Sequence, residues 1–168
     1  MTNQEVSRIV NKERDLVAQV KGFDKRYQNN MVYEAINHGD CYIAAEMIYK
    51  EIIRNLSPKD PIIHSIQKID TPMFTNNGFI KTGTMFLNND FPQLQIDIES
   101  FMMPPELYSI ITYQELIDMH MCLGTHCFVL FDGMLYDSEC PNGVKYAFEL
   151  PFFKRILDVY IRTYILII

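Results

Sequence analysis

Thr125-His-Cys-Phe-Val-Leu-Phe-Asp-Gly-Met-Leu-Tyr-Asp137 is the stretch whose reading decides the fold. Two apolar runs flank Asp132-Gly133, a dipeptide that tolerates the positive φ angles of a two-residue hairpin turn. A tight turn there places Phe128 opposite Asp137. Side chains alternate between the faces of a strand, so His126, Phe128, Leu130, Leu135, Asp137 and Glu139 share one face. His126 is then diagonal to Asp137 and directly opposite Glu139, both within side-chain reach. This juxtaposition offers a base with two competing orienting partners, Asp137 and Glu139. It lacks a nucleophile.

The candidate nucleophile lies far upstream, in Asn37-His38-Gly39-Asp40-Cys41. A helix is expected from about Cys41 to Asn55, with Asp40 as N-cap and Ser57-Pro58 and Asp60-Pro61 as the stop. At 3.6 residues per turn Cys41, Ala44, Ala45, Ile48 and Ile52 form one face, which points the thiol inward at the first turn and lets a sheet approach the two alanines. The positive end of the helix dipole favours the thiolate, the attacking form of cysteine. Asp40 opposes that ionisation unless it is turned away or paired. His38 stands three residues before the cysteine and is a candidate second base.

The rest of the chain supplies a frame for these pieces. Val6, Ile9, Val10, Val17 and Val20 form the apolar stripe of an amphipathic helix over residues 2–20, ended near Gly22. Residues 22–40 read as polar and irregular. Strands are expected over 61–69, over 79–87 after the turn Asn76-Asn77-Gly78, and where Leu94, Ile96 and Ile98 alternate with polar residues. Thr112 to Glu115 fits a capping box, opening a short helix to Met121. Pro141-Asn142-Gly143 reads as a turn. A last helix starts near Pro151 and buries Phe153, Ile156, Leu157, Tyr160, Ile161 and Tyr164. No repeat or linker interrupts the 168 residues, so one α+β domain is expected.

Composition excludes several classes. A net charge of −6 carries no basic face for nucleic acid. No apolar run spans a bilayer: the nearest, residues 151–168, is broken by Lys154, Arg155, Asp158 and Arg162. The charged N-terminal region does not read as a signal peptide. Four cysteines are then expected to be reduced thiols in a cytoplasmic protein. His120, Cys122, His126 and Cys127 are dense enough to raise a zinc site. Yet His120 and Cys122 lie about 200° apart around a helix, and His126 and Cys127 point to opposite faces of a strand. The expectation is no metal and no cofactor.

Gly39-Asp40-Cys41 opening an Ala-containing helix, followed by Thr125–Asp137, resembles the papain-like superfamily, in particular its transglutaminase-like, arylamine N-acetyltransferase-like and NlpC-type branches. The resemblance covers residues 37–52 and 125–151. It implies a papain-like core in which a Cys at a helix N-terminus packs on an antiparallel β-sheet, here with additional N- and C-terminal helices. It also implies Cys41 as nucleophile, His126 as base and Asp137 as orienter. The tail from Tyr136 to Val144, followed by Leu150 to Phe153, is similar to small phage-encoded proteins of this type, for which the host cytoplasm is the expected location. The chain departs from the transglutaminase pattern in having no Trp, with Tyr42 and Phe128 at those positions. Ala35 stands where papain-like enzymes often carry a Gln that helps the oxyanion hole, and the resemblance makes Asn37 or His38, beside the Cys41 N–H, the expected substitute.

Two functions follow as expectations. One is a cysteine-dependent acyl-transfer enzyme acting on a protein, peptide or other amide substrate, as a peptidase, amidase, deamidase or transglutaminase. The other is a catalytically inactive papain-like fold that uses its acidic surface to bind a basic protein partner. The apolar end Tyr164-Ile-Leu-Ile-Ile168 makes self-association an expectation in either case.

Overall fold

A computed structural model describes residues 1–56, 62, 64–69, 74–75, 78–79, 106 and 126–160. Helix α1 (Asn3–Lys21) begins at a complete capping box: Thr2 accepts from the Glu5 N–H, and the Glu5 carboxylate accepts from the Thr2 N–H. Its stripe buries Val6, Val10 and Val17, whereas Val20 is 75% exposed, because the chain turns away at Gly22 before that face meets the core. Residues 22–40 are more ordered than their composition implies. They hold helices α2 (Phe23–Arg26) and α3 (Met31–Asn37), short turns that place Ile36 and Asn37 in the interior.

Helix α4 (Cys41–Asn55) has the expected span and inward face: Cys41, Ala44, Ala45, Ile48, Tyr49 and Ile52 are buried. Asp40 does not cap it through its side chain. Its carboxylate instead pairs with Lys21 Nζ at 2.8 Å.

Strands β1 (His64–Ile69), β4 (His126–Phe131), β5 (Met134–Asp137) and β6 (Cys140–Val144) form an antiparallel sheet in the order β1-β4-β5-β6. Strands β2 (Phe74–Thr75) and β3 (Gly78–Phe79) pair separately. The hairpin register is Val129 on Tyr136, Leu130 on Leu135 and Phe131 on Met134, which sets Asp137 opposite Phe128. Asp132 and Gly133 both have positive φ, as the turn requires. The molecule is therefore α+β, with helices packed on a small antiparallel sheet.

Pro141-Asn142-Gly143 is not a turn. The chain reverses at Ser138-Glu139, and the three residues lie in the edge strand β6. An edge tolerates a proline because one row of its N–H groups has no ladder partner. The register slips between Leu135 and Asp137, and Gly143 absorbs the irregularity at φ 74°.

One core lies between the sheet and helices α1 and α4: Val6, Val10, Cys41, Ala45, Ile48 and Ile52 pack with Ile66, Cys127, Val129, Phe131 and Tyr136. On the other face of the hairpin, Phe153 meets His126 and Phe128 edge-on. Phe153 comes from helix α5 (Pro151–Tyr160), which starts at Pro151 after a 3₁₀ turn over Ala147–Glu149. No helix among the described residues is long and apolar enough to cross a membrane. The strands expected over 80–98, the helix expected over 112–121 and the C-terminal residues 161–168 lie outside the described residues.

Candidate active site

The site forms where the N-terminus of α4 meets the start of β4. Alternation on β4 divides the labour: Cys127 faces the α4 core, while His126 faces α5. Cys41 interacts with both side chains.

His126 is fully buried. Its Nε2 lies 2.8 Å from Asp137 Oδ2, the diagonal partner on β5. Phe152 stacks on the ring at 4.4 Å and Phe153 meets its edge at 5.4 Å, so water is kept from both ring faces. Nδ1 is buried and has no partner within hydrogen-bond distance among the described residues. With Nε2 engaged by a carboxylate, Nδ1 is the nitrogen left for the thiol. Burial alone would push the imidazole toward its neutral form. The hydrogen bond to Asp137 and the negative charges of Asp137 and Cys41 outweigh that effect and raise its pKa to about 9.

The Cys41 thiol moves the opposite way, down to about 4. The largest cause is a hydrogen bond from the Cys127 side chain. Burial opposes the shift, and the positive charge of His126 reinforces it. Each shift favours the same state, a thiolate beside an imidazolium. The objection raised by Asp40 is met by its ion pair with Lys21. Replacing Cys127 with Ala removes one donor and little volume. The midpoint of Cys41 ionisation is then expected to rise by about one unit, the equivalent of one hydrogen bond. Site-resolved alkylation against pH reads this directly, and an unmoved midpoint refutes it.

The other expected site residues take different places. Glu139 does not approach His126: its carboxylate takes two hydrogen bonds from Arg155 of α5, at 2.7 and 2.8 Å. The turn at Ser138 lifts it away from the position directly opposite His126 that a continued hairpin would impose. Asn37 donates from Nδ2 to both Asp137 and Glu139, so its amide N–H groups are engaged with carboxylates rather than open as an oxyanion donor. His38 is exposed, 3.5 Å from Glu34 and tilted against Phe152, the ring that stacks on His126. The remaining oxyanion candidates are the first-turn N–H groups of α4, which the helix cannot satisfy internally.

Sequence reasoning missed Ser138, Arg155 and Phe152. Each belongs to a segment whose side chains converge only after β6 and α5 have packed, and no local spacing marks them. Cys140 is not a second reactive thiol: burial, with help from the Asp137 charge, raises its pKa to about 12. Among the described residues no group of three or more His, Cys, Asp or Glu could hold a metal ion. His120 and Cys122 lie outside the described residues.

No protein-family model, curated protein or solved structure matches this chain.

Proposed function

We propose that the protein is a cysteine-dependent acyl-transfer enzyme with a papain-like core, acting on a peptide or other amide, ester or thioester. The observation that carries this reading is the His126–Asp137 pair at 2.8 Å beside the Cys41 thiol at the N-terminus of α4. Such a pair has the chemistry of a nucleophile with its proton carrier already in place. The Cys41 thiolate attacks the substrate carbonyl carbon, and the new C–S bond forms as the carbonyl electrons move to oxygen. The N-terminal N–H groups of α4 face that developing charge. Collapse breaks the bond to the leaving group, which takes its proton from the His126 imidazolium. In the second half His126 accepts a proton from water or an amine. That nucleophile attacks the thioester and releases Cys41. Asp137 positions the ring and stabilises its charged form.

The test is a panel of esters, thioesters and peptide amides, read as turnover and as an acyl adduct on Cys41 by mass spectrometry. Wild type is expected to form the adduct. Cys41→Ala is expected to lose turnover completely while changing stability by no more than about 1–2 kcal/mol, since alanine fills nearly the same space on the α4 face and His126, released from the thiolate, can turn neutral. Turnover by Cys41→Ala would sink the assignment.

One observation favours the second reading, a non-catalytic binding module on the same fold: Cys41 is only 8% exposed and Phe152 covers His126. That reading expects a Cys41 inert to alkylating reagents at neutral pH and a salt-sensitive complex with a basic protein.

A further inference from the structure

The proposed chemistry needs the Asp137 carboxylate to stay charged and aimed at Nε2. The hairpin alone does not secure this. Asp137 and Glu139 lie two residues apart across a tight turn, and their charges repel. Asn37, the last residue of α3, lies between them. Its Nδ2 donates to Asp137 Oδ2 at 3.2 Å and to Glu139 Oε2 at 2.8 Å. Its Oδ1 accepts from the Ser138 hydroxyl at 2.7 Å, which sets which end of the amide faces the carboxylates. Asn37 and Ser138 are buried, so water does not compete for these bonds.

We infer that Asn37, locked by Ser138, is a positioning residue that holds the Asp137 carboxylate against His126 Nε2. The role rests on the Cys41–His126–Asp137 reading of the preceding subsection. It explains why an amide stands at this position. Two donors and one acceptor are needed, without charge. Aspartate would add a third carboxylate, lysine would compete with His126 for Asp137, and alanine would leave three buried polar groups short of a partner. The Asp137 Oδ2 that receives His126 is the same oxygen that receives Asn37, while Oδ1 takes the Glu139 N–H at 2.9 Å. The carboxylate is therefore fixed at both oxygens. Glu139 is kept from turning inward by Arg155.

Other ionisable groups surround this cluster: Arg14 of α1 donates to the Ser138 carbonyl at 3.0 Å and lies over the Tyr33 ring. Cys41 approaches from α4 as the partner of His126. Glu34 of α3 lies behind Arg155 at 3.7 Å, and His38 lies beside Glu34. The β6 thiol of Cys140 stays protonated. None of them takes over the Asn37 bonds to Asp137.

A positioning role predicts that loss of the amide lets Asp137 drift, lowers the stability of the imidazolium and makes Cys41 harder to ionise. The experiment is the pH profile of Cys41 alkylation by iodoacetamide in the full chain, resolved by mass spectrometry, with thermal midpoints recorded in parallel. Asn37→Ala is expected to move the profile midpoint up by about one pH unit or more. Ser138→Ala, which removes the hydroxyl shared between the Asn37 Oδ1 at 2.7 Å and the Tyr33 carbonyl at 3.1 Å, is expected to move it less and in the same direction. A low wild-type midpoint that neither variant shifts overturns the role of Asn37 alone, whatever happens to the thermal midpoint. A wild-type midpoint at the ordinary thiol value overturns the site reading, and this inference with it. Should neither variant fold, the wild type decides. The Asn37 side-chain amide resonances are expected to shift with the same pH midpoint as Cys41, and their failure to do so refutes the assignment.

Discussion

His126→Ala is expected to convert Cys41 from a thiolate over most of the neutral range into an ordinary or suppressed thiol. In the wild type a hydrogen bond from Cys127 and, against the cost of burial, the nearby positive charge of His126 hold the Cys41 pKa down. Removing the imidazole leaves burial opposed by Cys127 alone. The sign follows from the two midpoints. Below about 4 the Cys41 thiolate takes up its proton, and above about 9 the imidazolium loses its own, so the ion pair exists between them. Wild-type alkylation is expected to be nearly flat from pH 5.5 to 8. The variant is expected to climb about tenfold per unit across that range toward a midpoint near or above ~8.5, the value of a free thiol. The shape of the profile is the readout, because a thiolate of low pKa is also a weaker nucleophile per ion. Cys140 serves as an internal standard, since its raised pKa keeps it protonated throughout. A variant profile superimposable on the wild type would show that His126 and Cys41 do not share a proton.

Gly143→Ala is expected to cost about 2–4 kcal/mol, from a positive φ and from a clash in a filled core. At φ 74° a side chain is strained on any surroundings. Here a Cβ would also come within 2.7 Å of Tyr136 Cε1 and 2.8 Å of Cζ. The Tyr136 ring has nowhere to go: it is fully buried in the α1–α4 core and its hydroxyl donates to Asn3 at 3.3 Å. Gly133→Ala is the matched control. Its φ is also 74°, but nothing lies within 4 Å of the position a Cβ would take, so only the conformational cost of about 1 kcal/mol is expected. Urea unfolding of the two variants separates strain from clash. Equal losses would mean that the Tyr136 contact is soft. Because Tyr136 precedes Asp137 on β5, a displaced ring is also expected to disturb the His126–Asp137 distance.

The elements that could be read from sequence are those whose signal is local and redundant. Thr2 and Glu5 cap α1 by side chains three residues apart. The α4 face repeats with the helical period, and Asp132-Gly133 turns a hairpin whose flanking residues alternate. From that turn the meeting of His126 with Asp137 follows by counting, because strand geometry has only two faces and one diagonal. The inward Cys41 follows from the α4 stripe in the same way.

The errors are equally physical. Pro-Asn-Gly over 141–143 carries every local mark of a turn, yet pairing with β5 is worth more than the turn preference, and the reversal moves to Ser138-Glu139. That earlier reversal carries Glu139 away from its place directly opposite His126 and into the reach of Arg155. Asn37 offered an amide near the thiol, but its destination depended on α3, which places it among the carboxylates of the β5–β6 turn. By itself the sequence determined the helix that presents Cys41, the hairpin that joins His126 to Asp137, and the face each occupies, because all are set by short-range periodicity. The tertiary structure decided that Asp40 is neutralised by Lys21, that Cys127 donates to Cys41, that Phe152 covers the imidazole and that Asn37 bridges Asp137 and Glu139. Each of those contacts joins residues from different elements, and which partner a side chain meets is settled only when the elements pack.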